Sequence, residues 1–435
     1  MRKGFFIAIF MMVGTLYAVE LPRDVMSEKY WSFWNDEVQA QIDANIEKYR
    51  KADAEITLQN VKPGTEVAVV QETSDFKFGA NIFLFGQLDT PEKNKAYADM
   101  YGDLFNAATV AFYWKTLEPE PGKIRFTADS PYSYRRPPTD PVVEYCERRG
   151  LDIHGHAIIY GIRVWGHPTW MPNDRKAMEP LFENHVHQLA QRYEGRIHQW
   201  DVVNECIDQA NRGIMPDDYT YKTFKWAEKY FPASVRLSSN ECDMAWGPNR
   251  RYVEIVRDLR DRGAKVDLMG VQSHIFDPQG CQRIADGADV RTPAKNLAVL
   301  DTMSEAGLPI HISEVTVSAP SDDEKGRQIQ AIVARNLYRI WFSHPSVVRI
   351  TWWNAMDGGA APGEPCISGL LTTAGEKKPV YYALEELIHH TWRTQFVQKA
   401  TEPDMTLKFR GFKGNYRVTW TDAEGKTQSR TFPVR

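Results

Sequence analysis

The chain has 435 residues, more than a single small domain needs and enough for one domain of barrel size plus a smaller appendage. With 53 Lys and Arg against 57 Asp and Glu, a formal net charge of −4, nothing global draws it to nucleic acid or to an anionic membrane. Hydrophobic residues reach 43%, sufficient for a large core, and the 13 Trp and 19 Tyr suit a sugar cleft, where aromatic faces stack on the apolar face of a pyranose, as well as they suit core packing.

The N-terminus reads as a targeting segment. Arg2 and Lys3 form a positive region, residues 5–13 are apolar, and Leu16-Tyr17-Ala18 resembles a small-residue cleavage site. That run is too short for a membrane span, and no later stretch is long and apolar enough for one. Cleavage after Ala18 is expected. No cysteine lies nearby to take a lipid anchor. The expected product is a secreted or periplasmic monomer with no membrane or nucleic-acid partner. The five cysteines, Cys146, Cys206, Cys242, Cys281 and Cys366, match no zinc spacing. Export permits disulfides, and an odd count leaves at least one thiol outside any bridge within the chain. Cys206 and Cys242 both follow predicted strand ends and are the pair a bridge could join.

Residues 24–50 read as helical, with Val38, Ile42, Asn45, Ile46 and Tyr49 at helical spacing. The period then changes to alternation over 54–58 and 66–70 around Lys62-Pro63-Gly64, which predicts a β-hairpin. From Phe76 a regular rhythm begins, with candidate strands near 78–83, 107–113, 152–158, 198–204, 234–240, 268–274, 310–316 and 348–354. Helical patterns lie between them. The clearest covers 322–342, with Asp322 or Asp323 as cap and Ile329, Ile332, Val333, Leu337, Ile340 and Trp341 on one face. Eight strands alternating with helices predict a (β/α)8 TIM barrel of class α/β. A doubly wound sheet is the alternative, but no Gly-rich phosphate loop follows any strand. Short alternating strands return at 406–410, 416–420 and 430–434. The predicted organisation is a signal peptide over 1–18, a helix and hairpin over 19–75, a catalytic barrel over 76–395, and C-terminal strands over 396–435 packing with the hairpin as an accessory β module.

Two apolar runs each end in a glutamate: Trp200-Asp201-Val202-Val203-Asn204-Glu205, and Leu308-Pro309-Ile310-His311-Ile312-Ser313-Glu314-Val315. They read as the fourth and seventh barrel strands, and a barrel keeps its active site at the C-terminal strand ends. Two carboxylates at one mouth are the minimum equipment for cleaving a glycosidic bond. Strand alternation puts Ile310, Ile312 and Glu314 on one face, and Gln272 with His274 on another. Asn204 and Glu205 would face opposite ways on a regular strand, so their joint use requires a break in the pleat, such as a bulge.

The run from Trp200 to Glu205 resembles the acid/base motif of glycoside hydrolase family 10, best known for endo-β-1,4-xylanases. Glu314, in His311-Ile312-Ser313-Glu314, stands where that family has its nucleophile. In order, Phe76-Lys77-Phe78-Gly79, Phe105-Asn106, Trp114 with Glu118-Pro119-Glu120-Pro121-Gly122, His154-Gly155-His156, Asn240, Gln272-Ser273-His274, Thr351-Trp352-Trp353 and Lys378-Pro379-Val380-Tyr381-Tyr382 resemble its remaining motifs. The resemblance covers about residues 76–392 and implies a retaining mechanism, with Glu314 as nucleophile and Glu205 as acid/base. It implies that Asn204 and His156 bind the −1 sugar, Trp353 (or its neighbour Trp352) stacks beneath it, His274 holds Glu314, and Gln272 contacts Glu205. Asn240 and Tyr160 join the substrate-binding set.

The second strand departs from the family. Where xylanases of this type carry a Glu-Asn pair and a Lys, this chain has Thr109, Val110 and Tyr113. The loop from Tyr160 to Trp170 is longer than the family form, and Asp357-Gly358-Gly359-Ala360-Ala361 lacks the usual cleft tryptophan. The resemblance therefore implies a retained reaction with a rebuilt glycone side. Arg135, Arg136 and Arg163, on loops at the same mouth, are candidates for favouring a substituted or acidic glycan. No His/Asp/Glu cluster has ligand spacing, so no metal or cofactor is expected. The expected protein is an exported retaining β-glycosidase acting on xylan or a related β-linked plant glycan. The alternatives are another β-glycoside specificity and a non-catalytic carbohydrate-binding barrel.

Overall fold

The computed structural model describes residues 21–207, 213–364 and 366–435, apart from the Cys242 side chain. The expected targeting segment over 1–18 lies outside the described residues, as does the side chain needed to judge a Cys206–Cys242 bridge. Among the described residues no helix is long and apolar enough to cross a membrane. Cys146 and Cys281 are buried thiols, and burial pushes both up to about 12.

Among the described residues, helices Glu28–Phe33 and Asp36–Arg50 precede the first strand, parted where the Asn35 side chain caps the second by accepting the Val38 N–H at 3.0 Å. Strands β1 (Lys51–Leu58) and β2 (Glu66–Ser74) follow. The barrel comprises β3 (Lys77–Asn81), β4 (Ala107–Ala111), β5 (Asp152–His156), β7 (Gln199–Asn204), β8 (Arg236–Asp243), β9 (Leu268–Ile275), β10 (Ile310–Val317) and β11 (Val347–Trp352), with the two-residue β6 (Ile159–Tyr160) beside β7. Every barrel pairing is parallel, and the ring closes where His154 and Gly155 of β5 meet Gln199 and Trp200 of β7. Closure depends on Gly155: a Cβ there would lie 2.3 Å from the Trp200 ring. β6 pairs parallel with the end of β7 and puts Tyr160 level with Asn204. The barrel strands are buried on both faces, as a parallel sheet covered by helices requires. The long helix Glu324–Ser343 is capped by Asp323, which accepts the Gly326 N–H at 2.8 Å, and buries Ile329, Ile332, Val333, Leu337, Ile340 and Trp341.

Four further strands complete the chain: β12 (Gln395–Lys399), β13 (Met405–Phe412), β14 (Gly414–Thr421) and β15 (Thr427–Val434). The hairpin expected over 54–70 is corrected here. β1 and β2 do not pair with each other. β1 pairs antiparallel with β13 over its whole length, and β2 lies between β12 and β14 in a four-stranded sheet. Ile56, Leu58, Val67 and Val69 meet Met405, Leu407, Tyr416 and Val418 in a second core. The distant partners win because they build two sheets that pack their apolar faces together, which an isolated two-stranded hairpin cannot do.

Candidate active site

Glu205 and Glu314 come together at the C-terminal ends of the barrel strands. The Gln272 side-chain amide donates from Nε2 to Glu205 Oε1 at 3.1 Å and to Glu314 Oε1 at 3.2 Å. Two oxygens held by one nitrogen at such lengths lie no more than about 6 Å apart. Two backbone irregularities aim the glutamates. Glu205 follows β7 in the left-handed region, at φ 54°, and its N–H bonds to the Asn240 carbonyl, so Asn204 and Glu205 both reach the cleft. The expected break in the pleat is thus chiefly a left-handed turn, with a register slip against β8 between Asp201 and Val203. The face assignment for β10 is corrected. His311 and Ser313, not Ile310 and Ile312, point inward, to Thr351 and Asn240, and a register slip between Ile312 and Glu314 turns Glu314 to the same side.

Asn240 is the pivot beneath the pair. It is fully buried, and its Nδ2 donates to Asn204 Oδ1 at 2.8 Å and to Glu314 Oε1 at 2.7 Å, while Ser313 donates to its Oδ1. Gly270 makes room for it, since a Cβ there would lie 2.3 Å from Asn240 Oδ1. His274 Nε2 is 3.4 Å from Glu314 Oε2, and its Nδ1 bonds to Thr316 Oγ1 at 2.9 Å. The pKa of Glu205 is raised, first by burial and next by the charge of Glu314, while Tyr160 and Gln272 bonds pull it back.

A hub that the sequence reading did not single out lies below. Asp201, fully buried, accepts at Oδ2 from His154 Nε2 at 2.7 Å and from His156 Nδ1 at 2.8 Å, and Ser238 donates to its Oδ1. Burial alone would raise the Asp201 carboxyl, but the two imidazoles outweigh it and hold it far below the usual range. His154, His156 and Asp201 bring three potential ligand atoms together. Gln199 Nε2 donates to His154 Nδ1 at 2.7 Å, which leaves the proton on Nε2 facing Asp201. The nitrogens facing the carboxylate are thus occupied by N–H bonds, and this donor set fits a proton network rather than an ion. The network fixes the ring of His156. Its Nε2 reaches Tyr113 Oη at 3.0 Å and lies 3.9 Å from Glu314 Oε1. Burial opposes charge on His156, but the Asp201 bond and the Glu314 charge together raise its pKa.

Of the two tryptophans, Trp353 faces the cleft. Its ring lies edge-on to His156 at 5.3 Å and to Phe83 at 5.2 Å, whereas Trp352 packs against Tyr338 and donates to the Asn354 and Ser368 carbonyls. Thr109 and Val110 are buried. Tyr113 stands over His156 and, with Phe83, forms the aromatic wall. Tyr160 bonds to Glu205, and its ring is 5.8 Å from that of Tyr113. Arg163 does not join this group: its guanidinium donates to the Met171 and Pro172 carbonyls and to Asn173 Oδ1, tying down its own loop. Phe83 lies within a predicted strand and Asp201 within the Trp200–Glu205 run, but neither was assigned a role of its own from the sequence.

An eight-stranded barrel with two opposed carboxyls at its C-terminal mouth defines the class. The model of Glycosyl hydrolase family 10 matches residues 73–387, and the chain belongs to that family. Among similar proteins are endo-1,4-beta-xylanase 2 of Arabidopsis thaliana, 26% identical over 83% of this chain and 31% of its own length, and anti-sigma-I factor RsgI6 of Acetivibrio thermocellus, 27% identical over 88% and 46%. The chain thus spans less than half the length of either. The solved native xylanase 10B from Thermotoga maritima shares the fold, with a TM-score of 0.58 at 22% identity over 73% of this chain and 96% of that one.

Proposed function

We propose that the chain is an exported retaining β-glycosidase that hydrolyses xylan or a related β-linked plant glycan, in the manner of an endo-1,4-β-xylanase. The carrying observation is the single Gln272 amide that reaches both glutamates. It brings one oxygen of each within about 6 Å of the other, which favours the roughly 5–5.5 Å spacing of direct attack over the roughly 6.5–9.5 Å that an inverting enzyme needs for an intervening water. Family membership and the printed names of the xylanase relatives support the substrate class.

In the first step a Glu314 carboxylate oxygen attacks the anomeric carbon while Glu205 protonates the departing glycosidic oxygen, leaving a glycosyl ester on Glu314. Burial and the Glu314 charge favour the protonated form of Glu205 beforehand. Esterification removes that charge, so the Glu205 pKa falls and it becomes the base that deprotonates water in the second step. Water adds to the anomeric carbon, the ester bond breaks, and Glu314 is regenerated. Trp353 forms the floor, and Asn204, held by Asn240, and His156, held by Asp201, are placed to bind sugar hydroxyls. Retention of both glutamates disfavours a purely binding barrel. Hydrolysis of 4-nitrophenyl β-xylobioside and of xylan tests the reading; no turnover of any β-glycoside would sink it.

A further inference from the structure

On the glycone side the wall is built by three loops tied to one another. Gln87, after β3, donates to the Ser133 carbonyl at 2.8 Å. Tyr134 donates to the Ala360 carbonyl at 3.0 Å, and Arg135 Nη2 to Asn354 Oδ1 at 3.1 Å, joining the loop after β4 to the loop after β11. Glu364 accepts from Asn354 at 3.1 Å and lies 3.5 Å from Arg135 Nη1, so the Arg135 charge is paired. From beneath, the buried Arg125 donates to the Pro131 and Arg136 carbonyls, which fixes the backbone of this loop.

Arg136 is held differently. Its guanidinium lies 3.9 Å over the Tyr113 ring and 4.9 Å from that of Phe83, the two rings nearest His156 and Trp353. It donates from Nη1 to the Arg135 carbonyl at 2.8 Å, and among the described residues no carboxylate pairs with it. It is partly exposed, unlike the buried Arg135 beside it. Burial among these rings lowers its pKa to about 10, which still leaves it charged at neutral pH. An arginine stacked on an aromatic face keeps its plane fixed and its remaining N–H edge available, the geometry that receives a carboxylate with two parallel bonds. A neutral sugar offers no charge to match it.

Resting on the glycosidase reading above, we infer that Arg136 is a carboxylate receptor in the glycone wall and that the preferred substrate carries a uronic acid on that side of the scissile bond. The Tyr113 hydroxyl, bonded to His156, couples this receptor to the sugar over Glu314. The uronic acid is either a side substituent or the chain-end sugar itself, and the two are distinguished by the probes.

The test is calorimetric binding to the Glu205→Gln full chain. The probes are a xylo-oligosaccharide decorated with glucuronic acid, a β-linked disaccharide with a non-reducing glucuronic acid, and the carboxyl-reduced form of each. At least one acid should bind about tenfold or more tighter than its reduced form, with the difference shrinking as salt rises. In Glu205→Gln/Arg136→Gln that ratio should fall to near one, and Arg136→Lys should retain part of it. Equal affinity of both acids and their reduced forms would overturn the inference, as would a preference that survives Arg136→Gln. Preferential binding without hydrolysis of any β-glycoside by the wild type would remove the glycosidase reading and leave the receptor standing.

Discussion

Glu205 and Glu314 share one hydrogen-bond donor, the side-chain amide of Gln272, at 3.1 and 3.2 Å. A donor common to two acids couples their protonation. In the proposed mechanism the amide serves Glu314 while Glu205 carries the proton, and is released to serve the newly formed Glu205 carboxylate once Glu314 is esterified.

The two acids should fail differently when removed. Glu314→Ala should abolish turnover of every glycoside, whereas Glu205→Ala should keep activity mainly on aryl glycosides with good leaving groups, which need no proton, and should recover with azide. Steady-state rates across a leaving-group series check this. Equal loss on all substrates and no azide effect would reverse the assignment. Proton NMR of the first-formed product should show the β anomer; an initial α anomer excludes the double displacement.

The alkaline limb of the kcat/KM profile should lie above the ordinary glutamate range, because Glu205 acts protonated in the proposed mechanism and its pKa is raised by burial and by Glu314. Tyr160 donates to the ionised form and so lowers that pKa. Tyr160→Phe should therefore move the limb to higher pH, along with any loss of rate. A limb that stays put or moves down would show that Tyr160 does not bond to the acid.

Gly270→Ala should push Asn240 off Glu314, since the added Cβ would sit 2.3 Å from Asn240 Oδ1. A hydrogen bond to a charged group contributes about 1.5–3 kcal/mol, so kcat/KM should fall roughly ten- to hundredfold. Asn240→Ala should match it, and the double variant should lose little more, because both act through one contact.

Asp201→Asn should cost more stability than a surface change. The substitution leaves two buried imidazoles facing an amide in place of a carboxylate, and breaking a buried ion pair costs about 3–5 kcal/mol. A clear fall in Tm should accompany a drop in kcat as His156 loses its orientation. An unchanged Tm would mean that the His154–Asp201–His156 bonds contribute nothing to the barrel.

The rhythm of strands and helices, the two glutamates closing apolar runs, and the altered second strand at Thr109, Val110 and Tyr113 were all legible in the sequence. The first two are local: they rest on side-chain period and on residue type at a strand end, which the chain specifies within a few residues, whereas the third is legible only through the resemblance to family 10. The tertiary structure alone decided the rest. Whether Trp352 or Trp353 faces the cleft depended on which side of β11 turns inward, the side of Thr351, and whether Glu314 follows His311 or Ile312 depended on a slip in register that arises only when neighbouring strands pair. The partners of β1 and β2 lie more than three hundred residues away, beyond any local pattern. Arg135, Arg136 and Arg163 are chemically identical in the sequence. Only the fold gave Arg135 an acid and Arg163 a set of carbonyls, and left Arg136 stacked on the wall of the cleft, because the partners of a charge are set by which loops meet in space.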